Sequence, residues 1–182
     1  MNGERALIRS LGSIMQMAFV PSDIDAALTY WTKTMGVGPF FQLEHAQLAL
    51  DSHTYRGQPC EADFTMLLAY WGDMQIELIR QHNDAPSIYK DWRDLGAQGL
   101  HHVCIVVDDL EKALARCKAA GASLLQDGRS GGTTFAYVDT MGGPGSMLEM
   151  LCPAPDVLAY QTHMKECARS WDGLNPIRPF GS

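Results

Sequence analysis

The sequence predicts an α+β fold of two tandem βαβββ modules that form a cupped mixed sheet, with helices outside and a C-terminal helical tail. Three observations carry this expectation. An apolar strand running into an acidic helix start occurs twice, the intervals within the two copies agree, and three strand-like segments follow each helix. In the first copy, Gln16-Met-Ala-Phe-Val-Pro-Ser-Asp23 leads into Ile24 to Leu28; in the second, His102-Val-Cys-Ile-Val-Val-Asp-Asp109 leads into Leu110 to Leu114. The polar residue and the helix-start aspartate are seven positions apart in both copies, and glycine follows thirteen positions later at Gly36 and twelve later at Gly121.

The first helix has Ser22 and Asp25 as a capping pair, Ile24, Leu28 and Trp31 at helical spacing, and Gly36 as its stop. The second has Leu110, Leu114 and Cys117, ending at Gly121. Strands are expected at Phe40 to Leu48, Asp63 to Tyr70 and Met74 to Arg80 in the first copy, and at Ser123 to Gln126, Thr133 to Asp139 and Ser146 to Cys152 in the second. Gln16 to Glu77 spans 61 residues against 47 from His102 to Glu149, and the extra 14 residues are assigned to a polar loop around Asp51 to Glu61 that covers a site. The chain therefore reads as one domain over residues 1–182. Its modules lie at 12–84 and 99–152, a linking helix at 85–98, and a helix and tail at 153–182 that pack on the outside or on a partner.

Composition narrows the function classes. Apolar residues make up 46% and charged residues 19%, enough for a core and inconsistent with global disorder. A net charge of −7 argues against a nucleic-acid partner, because phosphate neutralisation needs clustered cations. The longest clean apolar run, Met66 to Trp71, falls far short of the roughly 20 residues of a membrane span. Arg5 and Arg9 precede an apolar stretch that Gln16 interrupts, without the small-residue cleavage site of a secretion signal. Five cysteines without a C-x-x-C spacing suggest reduced thiols, and a cytoplasmic location is expected.

Four polar residues interrupt apolar strands: Gln16 and His102 in the first strands of the two copies, Glu77 and Glu149 in the last. A buried carboxylate is usually paired, protonated or bound to a cation. One such residue alone is explained by a core hydrogen bond. Four at repeat-equivalent positions are not, and pseudo-symmetry would bring them to one centre. Amide oxygen, imidazole nitrogen and two carboxylates suit one divalent ion of zinc, nickel, cobalt, manganese or iron.

The duplicated pattern, with His102 in Gly99-Leu-His-His-Val103 and the closing Leu148-Glu149-Met150, resembles the vicinal oxygen chelate superfamily. This group includes glyoxalase I, methylmalonyl-CoA epimerase, bleomycin resistance protein and the extradiol dioxygenases. The resemblance spans roughly residues 13–152 and implies paired modules cupped around a metal held by Gln16, Glu77, His102 and Glu149. A Gln, Glu, His, Glu set is similar to that of some glyoxalase I enzymes, whereas extradiol dioxygenases use two His and one Glu. The implied activity is that of a metal-dependent lyase or isomerase, moving a proton next to a chelated carbonyl of a small molecule. Glu149 and Glu77 would be the acid–base pair and Glu149 the base. The alternatives are a ring-cleaving iron dioxygenase and a metal-free protein that sequesters an apolar or aromatic compound. Phe40, Phe41, Tyr70, Phe135 and Tyr137 are candidates for lining a substrate pocket, and Arg80 for holding a substrate anion. A homodimer is expected from the habit of the superfamily.

Overall fold

The computed structural model describes residues 8–143 and 145–182, so Arg5 lies outside the described residues. One sheet of eleven strands contains β1 (Ile14–Phe19), β2 (Phe40–Leu43), β3 (Ser52–Tyr55), β4 (Gln58–Pro59), β5 (Phe64–Trp71) and β6 (Met74–Gln81). It continues with β7 (Leu100–Val106), β8 (Ser123–Ser130), β9 (Thr133–Asp139), β10 (Met147–Cys152) and β11 (Ile177–Pro179). The spatial order is β11-β2-β5-β6-β1-β7-β10-β9-β8-β3-β4. The helices are α1 (Ile24–Thr29), α2 (Ile88–Asp94), α3 (Leu110–Ala119) and α4 (Pro155–Arg169).

The pairing repeats as the sequence does. β1 lies parallel to β6, β7 lies parallel to β10, and the two modules join antiparallel along β1 and β7. Each crossover helix is started by an aspartate: the Ala26 amide donates to Asp23 Oδ1 at 2.9 Å, and the Lys112 amide to Asp109 Oδ1 at 3.0 Å. Such a cap contributes about 1 kcal/mol. Asp23 thus replaces the expected Ser22–Asp25 pair.

Strand alternation divides the apolar residues between two layers. On the convex face, Ile24 and Trp31 pack on Phe40, Ile76 and Leu78, while Ala113 and Cys117 pack on Ile105, Val138 and Met150. Fully burying side chains of this kind stabilises by roughly 1.5–3 kcal/mol each. The same alternation leaves Gln16, Ala18, Glu77, Cys104 and Glu149 on the concave face.

Three sequence expectations are corrected. The strand begun at Phe40 ends at Leu43, and His45, at a φ of 50°, turns the chain into a 3-10 segment over Ala46–Ala49. The inserted polar stretch is a hairpin rather than a loop. β3 and β4 are joined by Arg56 and Gly57, both at positive φ, and β3 pairs antiparallel with β8 of the other module. The tail covers the concave face instead of the outside. Met164 of α4 packs on Phe41, Leu68 and Tyr70, and β11 adds to the edge of β2 in parallel. The linking helix α2 is capped by Ser87, whose Oγ accepts from the Lys90 amide at 3.0 Å, and it buries Ile88, Tyr89 and Trp92.

Candidate metal centre

Strand register explains how residues 61 and 47 positions apart in sequence meet. Gln16 stands opposite Gln75 on β6 and Cys104 on β7, while Ala18 stands opposite Glu77 and His102. Glu149 on β10 faces Cys104. The arrangement is two-fold: Gln16 faces Cys104 as His102 faces Ala18, with Glu77 and Glu149 on the outer strands. Ala18 and Cys104 have small side chains beside the donors, which leaves room above the sheet.

A bulge adds a residue that the repeat did not disclose. Ala18 pairs with His102 and Phe19 with Leu100, so His101 has no counterpart on β1. Strict alternation would turn His101 to the convex face. The bulge re-aims it beside His102, with the two Nδ1 atoms 2.9 Å apart. The other ring nitrogen of His101 lies 3.3 Å from the Ile88 carbonyl oxygen, which can only accept. His101 therefore carries its proton on Nε2 and accepts at Nδ1 from His102 Nδ1–H, which directs His102 Nε2 toward the carboxylates. Burial, reinforced by His102, lowers the His101 pKa to about 3 and keeps the ring neutral.

His102 Nε2 lies 3.4 Å from Glu77 Oε2 and 3.3 Å from Glu149 Oε2; His102 is fully buried, and the two glutamate side chains are 4% and 10% exposed. Burial alone would lower the His102 pKa, but the Glu149 and Glu77 carboxylates outweigh it and raise it to about 9. Burial raises the Glu77 pKa, with Glu149 adding to the effect and His102 opposing it. Gln16 is held from the side: its Nε2 donates to Gln75 Oε1 at 2.7 Å, and Gln75 Nε2 donates to Tyr70 Oη at 3.0 Å.

Gln16 Oε1, Glu77 Oε2 and His102 Nε2 are all buried without a hydrogen-bond partner. The donor atoms of Glu77, His102 and Glu149 lie within 4.8 Å of one another. Ligands about 2.0–2.2 Å from a shared ion are separated by about 2.8–3.6 Å at octahedral and tetrahedral angles. The imidazole–carboxylate separations of 3.3 and 3.4 Å fall in that window and are long for hydrogen bonds. The donor set therefore fits a divalent N/O-liganded ion. A second group, His45, Asp63 and His82, lies at the surface outside this centre; there His45 Nδ1 is 2.9 Å from both carboxylate oxygens, an ordinary hydrogen-bonded pair.

Gln16, Glu77 and Glu149 open into a cavity of about 360 Å³. Phe135 and Tyr137 line it, as the sequence suggested. Three other expected lining residues and the expected anion holder do not. Phe40 faces the convex core and Phe41 is covered by α4. Tyr70, also beneath α4, reaches the site only through Gln75. Arg80 is exposed and alternates to the face opposite Glu77, which removes it as an anion holder here. Sequence reading missed Gln75, Tyr89 and the roof formed by Tyr160, Met164 and Phe180. For α4 the signal was present: Val157, Tyr160, Gln161 and Met164 follow helical i, i+3, i+4, i+7 spacing and all face the cavity.

A family model of the glyoxalase/bleomycin resistance protein/dioxygenase superfamily matches residues 15–137. No curated protein sequence matches the chain. Among solved structures, methylmalonyl-CoA epimerase from Mycobacterium tuberculosis is similar with a TM-score of 0.59 at 17% identity, covering 84% of this chain and 96% of that one. A Streptomyces coelicolor methylmalonyl-CoA epimerase variant in complex with 2-nitronate-propionyl-CoA gives 0.57 at 18% identity, covering 80% and 96%. A hypothetical protein from Bacillus halodurans C-125 gives 0.59 at 13%, covering 79% and 95%. At these identities the structures speak for the fold, and the duplicated register, the cupped sheet and the family match agree. The chain belongs to the glyoxalase/bleomycin resistance protein/dioxygenase superfamily, within the vicinal oxygen chelate group.

Proposed function

We propose that the protein is a metal-dependent isomerase or lyase that moves a proton at a carbon next to a carbonyl of a small organic substrate. The observation that carries this reading is the convergence of His102, Glu77 and Glu149 beneath a cavity that both glutamates line, with Glu77 Oε2 and His102 Nε2 buried and unpartnered. Structural neighbours named as epimerases support a reaction of this type.

Gln16, Glu77, His102 and Glu149 would hold the ion. A divalent ion held there would supply Lewis acidity to the substrate carbonyl and to the negative charge that develops when the adjacent C–H is lost. The chain supplies the remainder. His102 is oriented by His101 and the Ile88 carbonyl, so its lone pair is presented without rotamer search. Glu149, the more open carboxylate, takes the proton from the substrate carbon. Glu77, on the strand at the other side of the β1–β7 seam from Glu149, is placed to return a proton from the opposite side. The apolar cavity walls exclude water from the carbanion-like species. The floor presents one imidazole at the carboxylates, which gives the ring-cleaving dioxygenase reading less support.

The test is metal titration of the purified full chain with zinc, nickel and cobalt, read by calorimetry and by the cobalt d–d spectrum. One ion per chain is expected, with affinity lost in His102→Ala. Glu149→Gln should retain the fold while abolishing solvent-deuterium exchange into substrate. Failure of all three ions to bind overturns the reading.

A further inference from the structure

We propose that the substrate is an uncharged, largely apolar carbonyl compound with an adjacent oxygen, enclosed whole in the cavity, and is not the anionic end of a carrier thioester. This rests on the proton-transfer reading and narrows it to a substrate class.

The cavity has a vertical division of chemistry. Its floor is polar, with Gln16, Gln75, Glu77 and Glu149, and its walls are apolar, with Phe64, Leu68 and Phe135 among them. An ion at the floor asks for two oxygens at one end of the ligand, and the walls ask for a hydrophobic body behind them. Away from the ion, a substrate carboxylate or phosphate would lie among apolar walls without a counter-charge and would pay desolvation.

Among the described residues that line the cavity there is no Lys or Arg. Arg129, next to the lining residue Ser130, reaches Asp51 at 3.6 Å, and Lys165, next to Met164, reaches Asp73 at 3.4 Å. Arg80 lies on the other face of the sheet. The cavity therefore supplies apolar contact in place of an anion partner.

The roof limits size. Tyr160 and Phe180 pack with ring centroids 4.4 Å apart and planes tilted by 57°, the Gly181 amide donates to Tyr160 Oη at 2.7 Å, and β11 ties Phe180 to the edge of β2. A volume of about 360 Å³ is at the lower end of pockets that enclose a complete small molecule. A nucleotide carrier would have to lie outside it.

Benzoin is a suitable probe, being a neutral aromatic α-hydroxy ketone with a labile C–H between its two oxygens. Mandelate and methylmalonyl-CoA serve as anionic comparators. Calorimetry on the zinc-loaded full chain should show benzoin binding at least tenfold more tightly than either, and proton NMR in deuterium oxide should show exchange at its α-carbon. Gln161→Arg, a cation placed on the half-buried roof, should weaken benzoin and strengthen mandelate. Tighter binding of either comparator than of benzoin, or no benzoin binding at millimolar concentration, overturns the proposal even where zinc is bound. A benzoin preference that survives chelation without exchange supports the substrate class while removing the metal-dependent reading, so the two fail separately.

Discussion

Gln16 and His102 occupy matching places on β1 and β7, yet the first is an amide steadied by another amide and the second an imidazole steadied by another imidazole. The backbone treats the two halves alike, with parallel neighbours, a shared seam and aspartate caps. Their partners differ. Gln75 and Tyr70 leave a neutral oxygen facing the site, whereas His101 and Ile88 leave a basic ring nitrogen between two carboxylates. Duplication thus fixes where donors sit, and the residue behind each donor fixes what it can bind.

The most severe way to break this comparison is to make the second half resemble the first. His102→Gln should abolish tight metal binding and, by leaving two buried carboxylates without their basic partner, lower stability by about 3 kcal/mol or more. Calorimetry and urea denaturation read the two effects. Removing the support alone should cost less: His101→Leu should weaken zinc about 10–100-fold with the fold intact, and His101→Asn, which keeps an acceptor, should recover most of it. Equal loss in both variants would mean that His101 acts through packing and not through its nitrogen.

Acidity offers a milder probe. His102, raised to about 9 from an ordinary 6.5, contributes stability that is full below pH 6.5 and is lost as pH rises through 9. The raised Glu77 works in the same direction, since the folded chain again holds the proton longer than the unfolded one. Chelated protein should therefore melt progressively lower between pH 6.5 and 9, and zinc-loaded protein should show a shallower fall. The smallest effect is expected from making the first half resemble the second. Gln16→His exchanges an amide oxygen for an imidazole nitrogen and should tighten zinc about tenfold relative to manganese, as measured by competition.

Much of this comparison was legible in the sequence, because period-two strands and an internal repeat constrain position strongly. Gln16, Glu77, His102 and Glu149 stood out as polar residues in apolar strands at equal offsets. His101 did not, since adjacent strand residues are expected on opposite faces and only the extra residue in β7 puts both histidines on one side. The β3–β4 hairpin escaped because its turn is Arg56-Gly57, whereas the common signal for such a turn is Asn-Gly or Asp-Gly. The helical periodicity of α4 was visible, but a stripe does not name the surface it covers; that depended on β11 finding the edge of β2.

The seam between β1 and β7 carries one more implication. A molecule resting on that line has a glutamate to its left and a glutamate to its right, placed there by the same fold drawn twice. The halves are related by a rotation and not by a mirror, so enantiomers resting there meet different surroundings even though each finds a carboxylate on either side. The unequal walls around the line add to that difference, with the tilted ring pair of the tail in one place and Phe135 and Tyr137 in another.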